Sequence, residues 1–206
     1  MTDKADKAPA ANRRSPAKHR AILAATADWV AQAGYDAVTI EGVAKRAGVG
    51  KQTIYRWWPS KAALLVELYT ELVSREALQV AHTGTLEQRL ASLLRALFAL
   101  YRDSCAGTVL TGLIGAASND ASVRALLSDG LVAGREDIVT AMVEAANQAD
   151  AGRFDAHAVN EVVIAVVWQR LVLQPASLDD DFAEHLAALA LAAGQGGRNG
   201  RASFDD

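Results

Sequence analysis

The sequence predicts an all-α protein with a short three-helix head followed by a larger helical body. Two observations carry this. Apolar residues recur at helical spacing from Pro16 to Ala193, with glycines and N-capping residues at the breaks, and no stretch reads as a sheet strand. The 206 residues are 51% hydrophobic and 22% charged, the balance of a chain with a real core, and four prolines and aperiodic glycines exclude collagen-like or proline-rich architecture.

The elements follow in order. Residues 1–16 are polar and read as an unstructured arm. A first helix starts near Pro16–Lys18, where proline is tolerated, carries Ile22, Ala25, Trp29, Val30 and Ala33 on one side, and stops at Gly34. Thr39 is a good N-cap for a second, short helix whose face is Ile40, Val43, Ala44 and Ala47, ended by Gly48. After a tight turn at Val49-Gly50, a third helix runs from Lys51 to Trp58. Pro59-Ser60 closes it, and Ser60 caps a fourth helix bearing Leu64, Leu65, Leu68 and Leu72.

The body is then expected as helices over Leu86–Tyr101, Val109–Ala117, Ser122–Gln148, Asp155–Leu173 and Asp179–Ala193. Gly130 and Gly134 weaken the first half of the long Ser122–Gln148 segment by up to ~1 kcal/mol each. The stretch from Gly194 is glycine-rich and reads as a flexible tail, 194–206.

Charge divides the chain. Up to Lys61 there are eleven Lys/Arg against five Asp/Glu, net +6; after it, ten against nineteen, net −9, giving −3 overall. A basic module on an acidic body suits a polyanion held by one part and repelled by the other. Clustering in the polar arm is the plainer alternative.

The second and third helices with their glycine turn match the helix-turn-helix pattern of major-groove readers. With Ile54 inward, Gln52 and Arg56 lie about 160° away at 100° per residue, one above the other. These side chains suit base edges, Gln with adenine and Arg with guanine. Lys51, Thr53 and Tyr55 fall on the flanks, where phosphate or thymine-methyl contacts are natural. Lys61 lies in the first turn of the next helix, where a phosphate is favoured. For each of these residues, a solvated surface or a packing role is the competing reading.

The stretch Lys18–Leu65 resembles the N-terminal domain of the tetracycline-repressor (TetR) family of bacterial regulators. The resemblance rests on Gly34-Tyr35, Val38-Thr39-Ile40, Val43-Ala44, Ala47-Gly48-Val49, Thr53-Ile54-Tyr55 and Trp58-Pro59-Ser60-Lys61. It implies a DNA-binding domain over 17–62 and a ligand-binding and dimerisation domain over 63–193. The protein would be a homodimeric repressor released from a palindromic double-stranded operator by a small-molecule effector. By position, Thr39 would meet phosphate, Lys51 to Arg56 would supply the recognition helix, and Tyr55 and Lys61 would add phosphate contacts. Two departures stand out: Gly50 replaces the frequent capping Ser or Thr, and Trp57 occupies a variable outward position with no role assigned.

The helix over Val159–Val172 is apolar on more than one face, and the last helix offers Leu186, Leu189, Ala190 and Ala193. Together, over about 157–193, they are the expected self-association surface, in the four-helix arrangement the family uses. A core helix within one subunit is the alternative. A ligand cavity is expected among Phe98, Tyr101, Met142, Trp168 and Gln169, against the reading that these are ordinary core. Arg102 and Arg170 could meet an anionic ligand or pair with acids on the surface.

His19, His82, His157 and His185 lack metal-ligand spacing, and Asp179-Asp180-Asp181 is explained by helix capping, so no metal or cofactor is expected. Cys105, the single cysteine, cannot form an internal disulfide. No phosphate loop, nucleophile elbow or Cys/His pair points to an enzyme. The start has no signal-peptide pattern, and the longest apolar runs, Val162–Trp168 and Leu186–Ala193, are shorter than a membrane span, so a cytoplasmic protein is expected. Two other functions stay open: an all-helical small-molecule-binding protein, and a DNA-binding activator without a ligand.

Overall fold

A computed structural model describes residues 15–74, 78, 83–129, 133–149 and 153–196, without the side chains of 133–137 and 196. The expected arm through residue 14, His82, Gly130 and the tail beyond 196 lie outside them. The described residues form ten α-helices and no strand: α1 Pro16–Ala37, α2 Ile40–Arg46, α3 Lys51–Trp57, α4 Lys61–Leu72, α5 Leu86–Asp103, α6 Ala106–Asn119, α7 Ala121–Leu127, α8 Ala133–Gln148, α9 Ala156–Leu173 and α10 Asp180–Gly196. A 3-10 turn, Pro175–Ser177, joins the last two.

Helix ends follow local chemistry. In α1 the helical path breaks at Gly34, whose φ of 79° suits a residue without Cβ. Thr39, Ser60, Asp120 and Asp155 cap α2, α4, α7 and α9 by accepting backbone N–H bonds. Thr85 and Gln88 form a reciprocal capping box at the start of α5. Asp179 accepts from the Phe182 N–H at 2.8 Å, and Asp180 and Asp181 fill the first turn of α10, the placement that capping and dipole favour.

The structure departs from the expected elements in two places. Where a single helix is expected over Ser122–Gln148, two are described, α7 and α8; Gly134 lies inside α8 and residues 130–132 are outside the described residues. Gly194, expected to open the tail, is buried inside α10. Its carbonyl accepts the Asp155 N–H at 3.0 Å, and a Cβ there would come within 2.6 Å of Val159. The missing side chain lets α10 cross the start of α9 at close range.

The head is joined to the body by α1 and α4 packing on α6, while α10 packs between α5 and α9. At the joint, Tyr35 sits over Gly112 of α6, where a Cβ would lie 2.1 Å from the ring. The Tyr69 and Tyr101 hydroxyls share a buried 2.7 Å hydrogen bond that ties α4 to α5.

Candidate nucleic-acid interface and ligand cavity

The turn between α2 and α3 is fixed by hydrogen bonds. Gly48, at φ 64°, gives its N–H to Lys45 at 3.4 Å, and Val49 gives its own to Ala44 at 3.0 Å. This is the paired closure of a Schellman end, in which residue 49 packs back on residue 44. Ala44 is buried and Val49 packs against the core, so the helix crossing is pinned at the corner. Close approach recurs between α1 and α2: a Cβ on Gly42 would fall 1.8 Å from the Trp29 ring. Arg46 lies over the other part of this contact, 4.5 Å from the Trp29 ring centroid.

On α3, Ile54 is fully buried, and Gln52 and Arg56 are exposed on the opposite face. Lys51 is exposed and stands 3.9 Å from Glu41, a separation worth little in water. Tyr55 is 43% exposed, Thr53 half-buried. Thr39 is exposed, its hydroxyl accepting the Gly42 N–H at 3.2 Å. Gly50 precedes α3 without any side-chain cap, so the first N–H groups of that helix lack a local side-chain acceptor.

Trp57 differs from its expected outward position: it is 9% exposed. The reason is a cluster beneath the third helix. Trp57 meets Trp58 edge-on at 5.6 Å, and His19 of α1 stacks on Trp58 at 5.3 Å. Glu67 of α4 accepts from the Trp58 indole at 2.5 Å and meets His19 Nε2 at 2.5 Å through its second oxygen. One carboxylate therefore gathers α1, α4 and the end of α3, and Arg56 lies 5.8 Å from the Trp57 ring centroid. Sequence reasoning missed this clamp because its members are 48 and nine residues apart in the chain.

Lys61 is half-buried rather than extended into solvent. Its ammonium donates to the Asp36 carbonyl at 3.3 Å and lies 4.4 Å from the centre of the Tyr35 ring. Burial lowers its pKa from the usual lysine value, while Asp36 pulls the other way. Burial also raises the Tyr35 phenol, helped by Asp36 and Asp120. Thr39 caps α2, Lys51, Gln52, Thr53, Tyr55 and Arg56 lie on α3, and Lys61 starts α4.

In the body, a cavity of about 40 Å³ opens between α5, α8 and α9. Leu93, Leu94 and Leu97 line one side, Val163, Val167 and Trp168 the other. Val73, Leu78, Ile138, Val139 and Ile164 complete the apolar wall, and Asn160 supplies an amide. Of the five residues expected at a ligand site, Trp168 lines this cavity. Phe98 is fully buried and stacks on Phe182 at 6.1 Å, Tyr101 is tied to Tyr69, Met142 is core and Gln169 is exposed. Arg102 donates to the Leu178 carbonyl at 3.0 Å, and Arg170 lies 3.7 Å over the Phe182 ring. Asn160 was missed because, beside Glu161 and with His157 and Gln169 on the same helix, nothing in the sequence singles it out.

Comparison with known proteins agrees with this architecture. Residues 22–68 match the family described as "Bacterial regulatory proteins, tetR family", and residues 80–190 match "Tetracyclin repressor-like, C-terminal domain". YdeS of Bacillus subtilis, an uncharacterized HTH-type transcriptional regulator, is 38% identical over 107 residues, 52% of this chain and 53% of that one. The chain thus spans about half the length of that curated relative. The HTH-type transcriptional repressor KstR of Rhodococcus jostii is 45% identical over 49 residues, 24% of this chain and 23% of that one. The crystal structure of the TetR family transcription regulator SCO0332 superposes with a TM-score of 0.74 at 29% identity, covering 85% of this chain and 97% of that one. FadR from Bacillus subtilis, solved with stearoyl-CoA, gives 0.65 at 18% identity over 85% and 98%, a likeness of fold. With a matched C-terminal region longer than half the chain, adjoining a matched helix-turn-helix head, the protein belongs to the TetR family of bacterial regulators, which are not enzymes.

Proposed function

We propose that this protein is a homodimeric repressor that holds a palindromic DNA operator and releases it when a small molecule enters the helical body. The observation that carries the DNA reading is the exposed Gln52/Arg56 stripe on a third helix anchored from behind by Ile54, Trp57 and Trp58. A groove-reading side chain must be presented by a rigid support, and here the support is core. The charge division of the chain, +6 then −9 about Lys61, favours the same orientation toward a polyanion.

Self-association is supported by α9. It is long and apolar enough to cross a membrane by length and composition, yet 28% of it is buried within one chain. Val172 and Leu173 on α9, and Leu189 on α10, are 42%, 67% and 55% exposed. A second copy related by a two-fold axis would cover both helices and set two reading heads against two half-sites.

An unbiased selection from a pool of random duplex DNA, followed by titration of the selected site at two salt concentrations, tests this reading. A palindromic consensus bound with affinity that falls steeply with salt is expected. Recovery of no consensus, or binding indifferent to salt, refutes it.

A further inference from the structure

The far end of α3 is held by one carboxylate. With seven residues, α3 is too short to keep a helical path by its own hydrogen bonds, and Gly50 gives its first turn no side-chain cap. Its last turn is tied instead. Trp58, the residue that ends it, is 2% exposed, gives its backbone N–H to the Ile54 carbonyl at 2.8 Å and its indole N–H to Glu67 Oε2 at 2.5 Å. Glu67 Oε1 meets His19 Nε2 at 2.5 Å, and the His19 ring stacks on Trp58 and lies 6.2 Å from Trp57. Trp57 in turn has the Arg56 guanidinium 5.8 Å from its ring centre. Glu67 stands on α4, whose own start is fixed by the Ser60 cap. A run of contacts therefore leads from a fixed carboxylate on α4 to the arginine of the exposed stripe.

We propose that Glu67 is a positioning residue for sequence reading: by holding Trp58 and His19 together, it fixes the rotation of the last turn of α3 and so the direction in which Arg56 reaches the groove. The inference rests on the operator reading and deepens it. A guanidinium reads guanine through two parallel hydrogen bonds, so a small rotation of its helix forfeits the pair, whereas phosphate contacts carry no sequence information and survive it. The chemistry of the clamp sets it apart from mere packing. A carboxylate only accepts, so it pairs with His19 both as an imidazolium and as a neutral ring protonated on Nε2. A glutamine there keeps an acceptor for the Trp58 indole but turns an N–H toward His19. A neutral ring can accept that N–H on Nε2, and an imidazolium cannot. From α4, Glu67 faces His19, and Glu71 shares with His19 and Arg20 the lining of the groove between α1 and α4. Lys18 precedes it on α1, and α3 brings Trp57 with Arg56 beyond it.

The test titrates the full chain by anisotropy against three duplexes: the selected operator, the single-base variant that Arg56→Ala no longer distinguishes from it, and a random duplex. Titrations are run at about pH 6 and about pH 8.5, a span in which imidazole is the side chain that ordinarily changes charge. Thermal midpoints confirm that each variant is folded. His157 and His185 lie on α9 and α10 and are common to every protein compared. Wild type is expected to keep its base discrimination at both pH values. Glu67→Leu, which removes both acceptors, is expected to lose discrimination about tenfold at the Arg56 position, with random-duplex affinity and salt slope unchanged. In an Arg56→Ala background it should cost nothing more there. Glu67→Gln should match wild type at the higher pH and lose discrimination about fivefold at the lower. Wild-type discrimination in folded Glu67→Leu, equal weakening on all three duplexes, or a Glu67→Gln protein that behaves alike at both pH values overturns the proposal. If Glu67→Leu does not fold, the Glu67→Gln comparison decides alone. A wild type that binds all three duplexes alike, or an Arg56→Ala protein that relaxes no position, sinks the base-reading assignment itself and this inference with it. Variants that discriminate as well as a discriminating wild type sink the Glu67 role and leave the operator reading standing.

Discussion

Gly112 and Gly115 of α6 give a paired experiment on the joint between head and body. A Cβ at position 112 would lie 2.1 Å from the Tyr35 Cγ, whereas at 115 it would meet nothing within 4 Å. Ordinary contact begins at 3.4 Å, so Gly112→Ala must move the ring by at least 1.3 Å, 3.4 less 2.1. Replacing a helical glycine by alanine gains about 1 kcal/mol of helix preference. Overpacking costs about 1–3 kcal/mol. Gly115→Ala should therefore stabilise by about 1 kcal/mol, raising the thermal midpoint by about 2–4 °C in a chain of this size. Gly112→Ala should be neutral to about 2 kcal/mol destabilising.

The sign should reverse in a Tyr35→Ala background, where the added methyl has room. That gives a coupling of about 1–3 kcal/mol in a double-mutant cycle measured by urea unfolding. Because the Lys61 ammonium rests 4.4 Å from the Tyr35 ring, Gly112→Ala should also weaken operator binding in protein that remains folded. Gly115→Ala should leave it unchanged. Equal effects at the two glycines, or a coupling near zero, would refute the joint as a tight seat for Tyr35.

Three other outcomes are expected. Arg56→Ala should weaken the selected operator by about 1–3 kcal/mol and relax one base position, whereas Lys61→Ala should weaken all sequences alike and reduce the salt slope by about one; anisotropy titrations against a panel of single-base variants separate the two. Leu189→Glu places a charge on the exposed apolar face of α10, and sedimentation should then report the 21.8 kDa monomer with operator affinity lost; an unchanged mass would move the dimer surface elsewhere. The Asp120 carboxylate accepts the Ser122 hydroxyl at 2.6 Å and the N–H groups of Ser122 and Val123 at 2.8 and 3.3 Å, which hold its pKa below the ordinary 3.8. A depressed folded-state pKa contributes stability present above the unfolded value and lost as pH falls through the folded one. The α7 cap should accordingly weaken below about pH 3.8, and Asp120→Asn should flatten that acid limb of the stability curve.

Much of the head was legible because its signals are local. Caps at Thr39 and Ser60, stops at Gly34 and Gly48, and the inward Ile54 each depend on a few neighbouring residues; α2 and α3 begin and end, and α4 begins, within a residue or two of the expected points. The Gln52/Arg56 stripe follows from helix geometry alone once Ile54 is placed inside. The apolar character of α9 was equally plain.

What periodicity left undecided is which of several apolar faces meets which partner. Phe98 and Tyr101 occupy the helical face expected of them, but α10 and α4 take up that face, leaving the cavity to Leu93, Leu94 and Leu97. Trp57 shows a different limit: a wheel drawn for α3 puts it only 60° from Ile54, the outward expectation came from the family resemblance, and a histidine from α1 and a carboxylate from α4 bring the surroundings that bury it. Side-chain periodicity is a property of one helix, so the sequence by itself determined the helices, their ends and the polar stripe offered to a groove. Burial is a property of pairs of helices. Only the tertiary structure decided the seat of Tyr35 on Gly112 and the Trp–His–Glu clamp, because each is made by residues distant in the chain.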